Sequence, residues 1–165
     1  MTHNGSYWFD SLEAPYAQAA PMPLPAAVDV AIIGGGYTGL WTAHYLNELN
    51  PSLKIAVLEA ETFGFGASGR NGGWCMGTAH GVDALLAQPE SRGAGLTLAR
   101  AMQATVDEIG QVAKSLGIDC HFKKGGNLTV ATQAFQVPQL QAELEHLRDL
   151  GFSEDDYVWL PAGEA

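Results

Sequence analysis

Gly34-Gly35-Gly36-Tyr37-Thr38-Gly39 sets three glycines in a G-x-G-x-x-G spacing, and that spacing suits one chemical task. Where such a run leaves a strand and opens a helix, it brings backbone against a pyrophosphate. Gly34 permits the tight turn out of the strand. Gly36 leaves open the space where a Cβ would meet the ligand, and Gly39 lets helix and strand pack closely. Ala43, four residues on, is small for the same packing reason. The pyrophosphate then sits at the helix N-terminus, where free N–H groups and the positive end of the helix dipole favour its charge.

Glu59 lies twenty residues after Gly39. A carboxylate there accepts hydrogen bonds from both hydroxyls of an adenosine ribose and repels a 2′-phosphate, so NADP is disfavoured. Together these residues point to an ADP-containing dinucleotide, without separating FAD from NAD. Gly66-Ala67-Ser68-Gly69-Arg70-Asn71-Gly72-Gly73 follows closely. Its glycines let backbone lie flat against a ligand. Ser68, Arg70 and Asn71 offer hydroxyl, guanidinium and amide donors to phosphate and ring oxygens. This loop fits a second contact with a long dinucleotide.

The elements that must position these residues are legible in outline. Residues 28–33, Val-Asp-Val-Ala-Ile-Ile, read as a buried parallel strand. A helix follows through Leu40, Ala43, Leu46 and Leu49 and stops at Asn50-Pro51. Ile55-Ala56-Val57-Leu58 is a second buried strand, which completes a β-α-β unit. Residues 63–81 form a glycine-rich loop. A long helix is predicted from Pro89 to Leu116, with Leu98, Met102, Val106, Ile109, Val112 and Leu116 on one apolar stripe and Gly117 as its stop. Residues 121–124 and 127–131 flank Gly125-Gly126 and read as a hairpin. A further amphipathic helix runs from Pro138 to Leu150, and Tyr157-Val158-Trp159-Leu160 begins another strand. Residues 1–26, punctuated by Pro15, Pro21, Pro23 and Pro25, read as a mobile arm without helix, whose Tyr7, Trp8 and Phe9 can pin it to the body.

Composition narrows the classes. The chain has 165 residues, 18 acidic against 8 basic, and a formal net charge of -10. That balance argues against a nucleic-acid surface, which needs clustered Lys and Arg. The apolar content, 47%, is too high for a disordered tail. Two cysteines make no disulfide framework and suit a reducing compartment, so the expected location is cytoplasmic. The sequence holds no apolar run long enough for a membrane span, and no signal peptide is read.

The other reactive side chains read as structural. His44 is a surface or packed residue, Cys75 a buried inert thiol, and His80 solvated. Lys123 and Lys124 form a solvated face. Cys120-His121 has poor spacing for a shared metal, and no metal site is expected.

The run Asp29 to Leu40, then Glu59, then Ala67-Ser68-Gly69-Arg70-Asn71-Gly72-Gly73 resembles the FAD-dependent oxidoreductases of the D-amino-acid oxidase type. That superfamily includes sarcosine, glycine and amine oxidases. The opening Ser6-Tyr7-Trp8 is similar to the subgroup containing gamma-glutamylputrescine oxidase. The likeness is sharp over residues 28–77 and diffuse over 85–165. It implies that Gly34, Gly35, Gly36, Thr38 and Gly39 hold the FAD pyrophosphate, and Glu59 with Ala60 the adenosine ribose. It also implies that Ser68, Gly69, Arg70, Asn71 and Gly72 line the pyrophosphate and the flavin side. The reaction implied is oxidation of a C–N bond in a small amine or amino acid by hydride transfer to flavin, with water hydrolysing the imine. Two other readings stay open: a non-catalytic dinucleotide-binding module, and an NAD-dependent dehydrogenase domain.

The expected fold is α/β: a Rossmann-like FAD-binding β-α-β unit, then helices, then the incomplete start of a mixed-sheet substrate domain. The expected division is an arm at 1–26, the nucleotide-binding unit and its glycine-rich loop at 27–82, and a truncated second part at 83–165. Family members are longer, and strands that return late in the chain complete their sheet. The chain therefore reads as an N-terminal piece of a larger enzyme that alone binds FAD poorly or not at all and is inactive. No catalytic residue is assigned, because the family's substrate face lies mostly beyond Ala165.

Overall fold

Two runs of four apolar residues pair in parallel. β1 (Val30–Ile33) and β2 (Ile55–Leu58) are in register from Val30 opposite Ile55 to Ile33 opposite Leu58. The ladder is fixed at both ends. The Lys54 N–H donates to Asp29 Oδ2 at 2.8 Å, and the Gly34 N–H donates to the Leu58 carbonyl at 2.8 Å. The structure, a computed structural model, describes residues 5–12, 23 and 25–164. The chain divides into two units, Met1–Trp74 and Cys75–Ala165.

In the first unit, α1 (Tyr7–Asp10) is a single turn, and α2 (Tyr37–Leu49) crosses between the strands. α2 ends at Asn50 before Pro51, as the sequence predicts. Among the described residues α2 is the helix that packs on the sheet. The strands are therefore half-buried rather than buried, and Ile33 is 89% exposed. A parallel strand reads as continuously apolar because both of its faces are normally covered. The stretch from 63 to 74 is loop, interrupted by one 3-10 turn at Ala67–Gly69. The arm departs from expectation at α1. The four prolines all follow this turn in sequence and so leave it free to form. Pro15 and Pro21 lie outside the described residues.

In the second unit, α3 (Val82–Leu86) precedes α4 (Arg92–Ser115), so the predicted start at Pro89 moves to Arg92. α5 spans Gln136–Asp149, two residues ahead of its predicted start. Pro138 is tolerated there because it falls in the first turn, where its missing N–H has no intrahelical acceptor to lose. The core is Val82, Leu86, Ala99, Leu150 and Phe152. α4 meets α3 through small residues. A Cβ on Gly95 would stand 3.0 Å from Leu85 Cβ and 3.1 Å from the Leu86 nitrogen. The predicted stripe is less buried than its spacing suggests, and Leu116 is 56% exposed. Both long helices end alike. Gly117 and Gly151 take positive φ, and the next N–H returns to the third residue from the helix end, Ile118 to Ala113 and Phe152 to Leu147.

Neither further strand forms among the described residues. The predicted hairpin at 121–131 is irregular and exposed. Phe122 lies on α4 at Gly110, where a Cβ would come within 2.5 Å of its ring, and Lys124 pairs with Asp107 at 2.5 Å. Side chains anchor this segment to a helix, and a lone hairpin without a covered face is marginal. Residues 157–160 likewise form no strand, and Tyr157 packs edge-on against the Phe152 ring. The only sheet among the described residues is thus two parallel strands, and the mixed sheet expected after them is not present there.

Candidate functional site

The first unit gathers the glycine motif, Glu59 and the second glycine loop into one place. Gly34 leaves β1 with φ +104, a conformation that disfavours any side chain. A Cβ on Gly39 would collide with the Gly34 carbonyl oxygen and come within 3.3 Å of Ile32, so α2 lies directly on β1. Gly36 is the residue before α2, and a Cβ there would stand 3.0 Å from Ser68 Oγ.

Helix starts leave N–H groups without intrahelical acceptors. Here Ser68 Oγ accepts the Tyr37 N–H at 2.9 Å, and Thr38 and Gly39 occupy the same first turn. Ser68 thus sits at the positive end of α2, together with the backbone suited to an anion.

Glu59 stands just past β2. Its Oε2 accepts the Gly35 N–H at 2.7 Å and its Oε1 accepts the Glu61 N–H at 3.0 Å. The backbone donors of Glu61, Gly35 and Ala60 hold the carboxyl below the usual glutamate range, against a smaller opposing effect of desolvation. The group is therefore ionised and aimed, and each oxygen keeps a lone pair for a ribose hydroxyl. Ala60 is exposed beside it. Gly35 is buried, and a Cβ there would collide with the Phe63 ring. The Gly35 carbonyl accepts the Gly64 N–H at 2.9 Å.

The second loop is braced from within. Asn71 Nδ2 donates to the Ser68 carbonyl at 2.7 Å and to the Tyr37 hydroxyl at 3.1 Å, while its Oδ1 accepts the Gly73 N–H at 2.7 Å. The Asn71 side chain, expected to present its amide to a ligand, instead holds the loop's shape. Gly69 abuts the Gly64 backbone, where a Cβ would collide. The Arg70 guanidinium lies 4.6 Å from the centroid of Phe65, and Gly72 is exposed with open space around its Cα. Sequence reasoning missed Phe63 and Tyr37 as parts of this arrangement. Phe63 and Tyr37 are ordinary aromatics in sequence, and only the folded backbone shows what they touch.

The remaining candidates sit elsewhere on their own elements. His44 packs in a ring cluster with Trp41 and Tyr45 on α2. Cys75 is exposed, not buried, as is Cys120. Cys120 and His121 line an open cleft of about 360 Å³ in the second unit. Among the described residues no group of three or more His, Cys, Asp or Glu is arranged to hold a metal ion, and no helix is long and apolar enough to cross a membrane.

The donor set fits FAD. The helix start and the glycine backbones of both motifs carry N–H groups that suit a pyrophosphate, and an ionised carboxylate beside them has lone pairs that suit ribose hydroxyls. Comparison with known proteins agrees. Gamma-glutamylputrescine oxidoreductase of Escherichia coli is 32% identical over 156 residues, covering 92% of this chain and 35% of that protein. A probable oxidoreductase, OrdL, of Haemophilus influenzae is 31% identical over 151 residues, covering 91% and 34%. Human mitochondrial L-2-hydroxyglutarate dehydrogenase is 31% identical over 139 residues, covering 79% and 27%. The chain thus spans about a third of the length of these two bacterial relatives. No solved structure matches significantly. The family model described as FAD dependent oxidoreductase (DAO) matches residues 29–165, and the chain belongs to that family.

Proposed function

We propose that the whole protein oxidises a C–N bond in a small amine or amino acid, with Met1–Trp74 providing the first part of its FAD site. In this reading the first turn of α2, with Thr38 and Gly39, takes the pyrophosphate. Glu59 takes the ribose hydroxyls, and the Ser68–Gly72 loop lies along the pyrophosphate and the flavin side. FAD, when bound, supplies the hydride acceptor and passes the electrons to oxygen or another acceptor. The chain's own residues supply placement: Gly36 admits the ligand, Ser68 ties the loop to the helix start, and ionised Glu59 orients the nucleoside. The observation that carries the reading is the joining of both glycine motifs by Ser68 and Tyr37. The family's FAD dependence favours flavin over a nicotinamide at this site.

The amine class is supported by the similarity to gamma-glutamylputrescine oxidoreductase across 92% of the chain. The name of the human relative supports a second reading, oxidation of a 2-hydroxy acid at its C–O bond. Two cysteines that form no disulfide suit a reducing compartment and favour the cytoplasm as its location.

Anaerobic mixing of the flavin-loaded whole protein with panels of amines, amino acids and 2-hydroxy acids tests this. Bleaching of the flavin's visible absorbance by an amine, with a carbonyl product and released ammonia or amine, is expected. Bleaching by hydroxy acids alone would establish the second reading. Tight flavin binding with no bleaching by any of them would leave a binding module.

A further inference from the structure

We propose that Ser6–Ser11 is a strap that fixes the shape of the cofactor loop, with Ser6 and Trp8 as positioning residues for FAD. The inference rests on the reading above that this loop contacts the dinucleotide, and it adds a role for a segment outside the region matched by the family model.

Three contacts carry it. Ser6 is buried, at 1% exposure, and its hydroxyl donates to the Gly69 carbonyl. Trp8 Nε1–H donates to the Asn71 carbonyl at 2.8 Å. The Trp8 indole also lies flush on Gly73, where a Cβ would stand 2.8 Å from Cζ2 and 3.0 Å from Cη2. The strap therefore grips main-chain carbonyls on both sides of Arg70 and closes over the last glycine of the loop.

Its own shape is fixed. The Asp10 N–H returns to the Ser6 carbonyl at 3.1 Å, the Ser11 N–H to Tyr7 at 2.9 Å, and Ser11 Oγ donates to the Trp8 carbonyl at 2.9 Å. An isolated four-residue turn does not persist in water, so this one is ordered by its docking. Strap and loop order each other.

The consequence for a ligand follows from peptide planarity. In a trans peptide the C=O and the next N–H point in opposite directions. Holding the Asn71 carbonyl on Trp8 therefore turns the Gly72 N–H away from the strap. Gly72 and Gly73 would otherwise sample many backbone conformations, and each must be ordered when FAD binds. A strap that orders them beforehand lowers that cost, which appears as tighter binding and slower release.

The test uses the whole protein and FAD. Ser6→Ala removes one donor. Trp8→Phe keeps an aromatic ring over Gly73 and removes the other. Each is expected to raise the FAD dissociation constant about five- to tenfold, to speed FAD release, and to shift the visible absorption of the bound flavin. A purely structural contact would move the unfolding midpoint but not that spectrum. Gly36→Val runs in parallel as a check on the underlying site. If Gly36→Val loses FAD while both strap variants keep wild-type affinity and spectrum, the strap is overturned and the site reading stands. If Gly36→Val keeps FAD, the site reading itself fails. Should Trp8→Phe not fold, Ser6→Ala decides by the same readouts.

Discussion

The Ser68 hydroxyl accepts the backbone N–H of Tyr37, 31 residues earlier in the chain, at 2.9 Å. One hydrogen bond thereby couples the start of α2 to the loop that follows Glu59. Two glycine motifs that are separate in sequence become one surface.

Ser68→Ala leaves that helix-start donor without its partner and frees the loop. Loss of about 1 kcal/mol of stability is expected in denaturant unfolding of the whole protein without FAD. A fall in FAD affinity of about tenfold is expected in a fluorescence titration. Unchanged affinity would mean that the loop is positioned independently of α2.

Gly36 and Gly39 separate binding from folding. Gly36→Val places side-chain carbon beside Ser68 Oγ and in the path proposed for the pyrophosphate. The variant is expected to fold, by circular dichroism, and to purify without flavin. Gly39→Ala drives a Cβ into the Gly34 carbonyl. It is expected to destabilise the first unit by about 1–3 kcal/mol, as overpacking does, seen as a lower unfolding midpoint whether or not FAD is present.

Glu59 gives a pH dependence with a definite sign. Backbone donors lower its pKa in the folded state, so its contribution to stability is present above the ordinary glutamate value. It is lost as pH falls through the lowered folded value. In Glu59→Gln one oxygen is replaced by an amide donor that faces a backbone N–H. The variant should be less stable than wild type at neutral pH, with the two converging in acid. FAD affinity should fall only mildly, because one acceptor remains. Parallel pH–stability curves for the two proteins would refute the assignment.

Much of this first unit is legible in the sequence. The β-branched runs, the Asn50-Pro51 stop and the glycine spacing are local signals, and the structure realises them at β1, α2 and β2. What fails is non-local. Gly125-Gly126 carries a turn signal, and Gly126 does take positive φ, but no turn closes there, and Phe122 finds its partner on α4 instead of across a strand. Cys75 looks like a core thiol by type and is exposed by position. The Asn71 amide looks like a ligand donor and is taken up by the Ser68 carbonyl and Tyr37. In each case residue type is visible in the sequence, while the partner depends on chain segments far away.

The second unit has its own test. Leu86 is 5% exposed in the core with Val82, Ala99, Leu150 and Phe152. Leu86→Ala is expected to cost about 2–5 kcal/mol through lost burial and the cavity left behind, measured by denaturant unfolding. The hydrogen bonds around Ser68 and Glu59 lie within the other unit, so a variant that still folds should titrate FAD as wild type does.

The central claim is the position of the cofactor. A crystal structure of the whole protein with FAD tests it most directly. The account predicts pyrophosphate oxygens within hydrogen-bond distance of the first-turn N–H groups of α2, and adenosine ribose hydroxyls on the Glu59 carboxylate. FAD bound with its pyrophosphate away from α2 and its ribose away from Glu59 would contradict it.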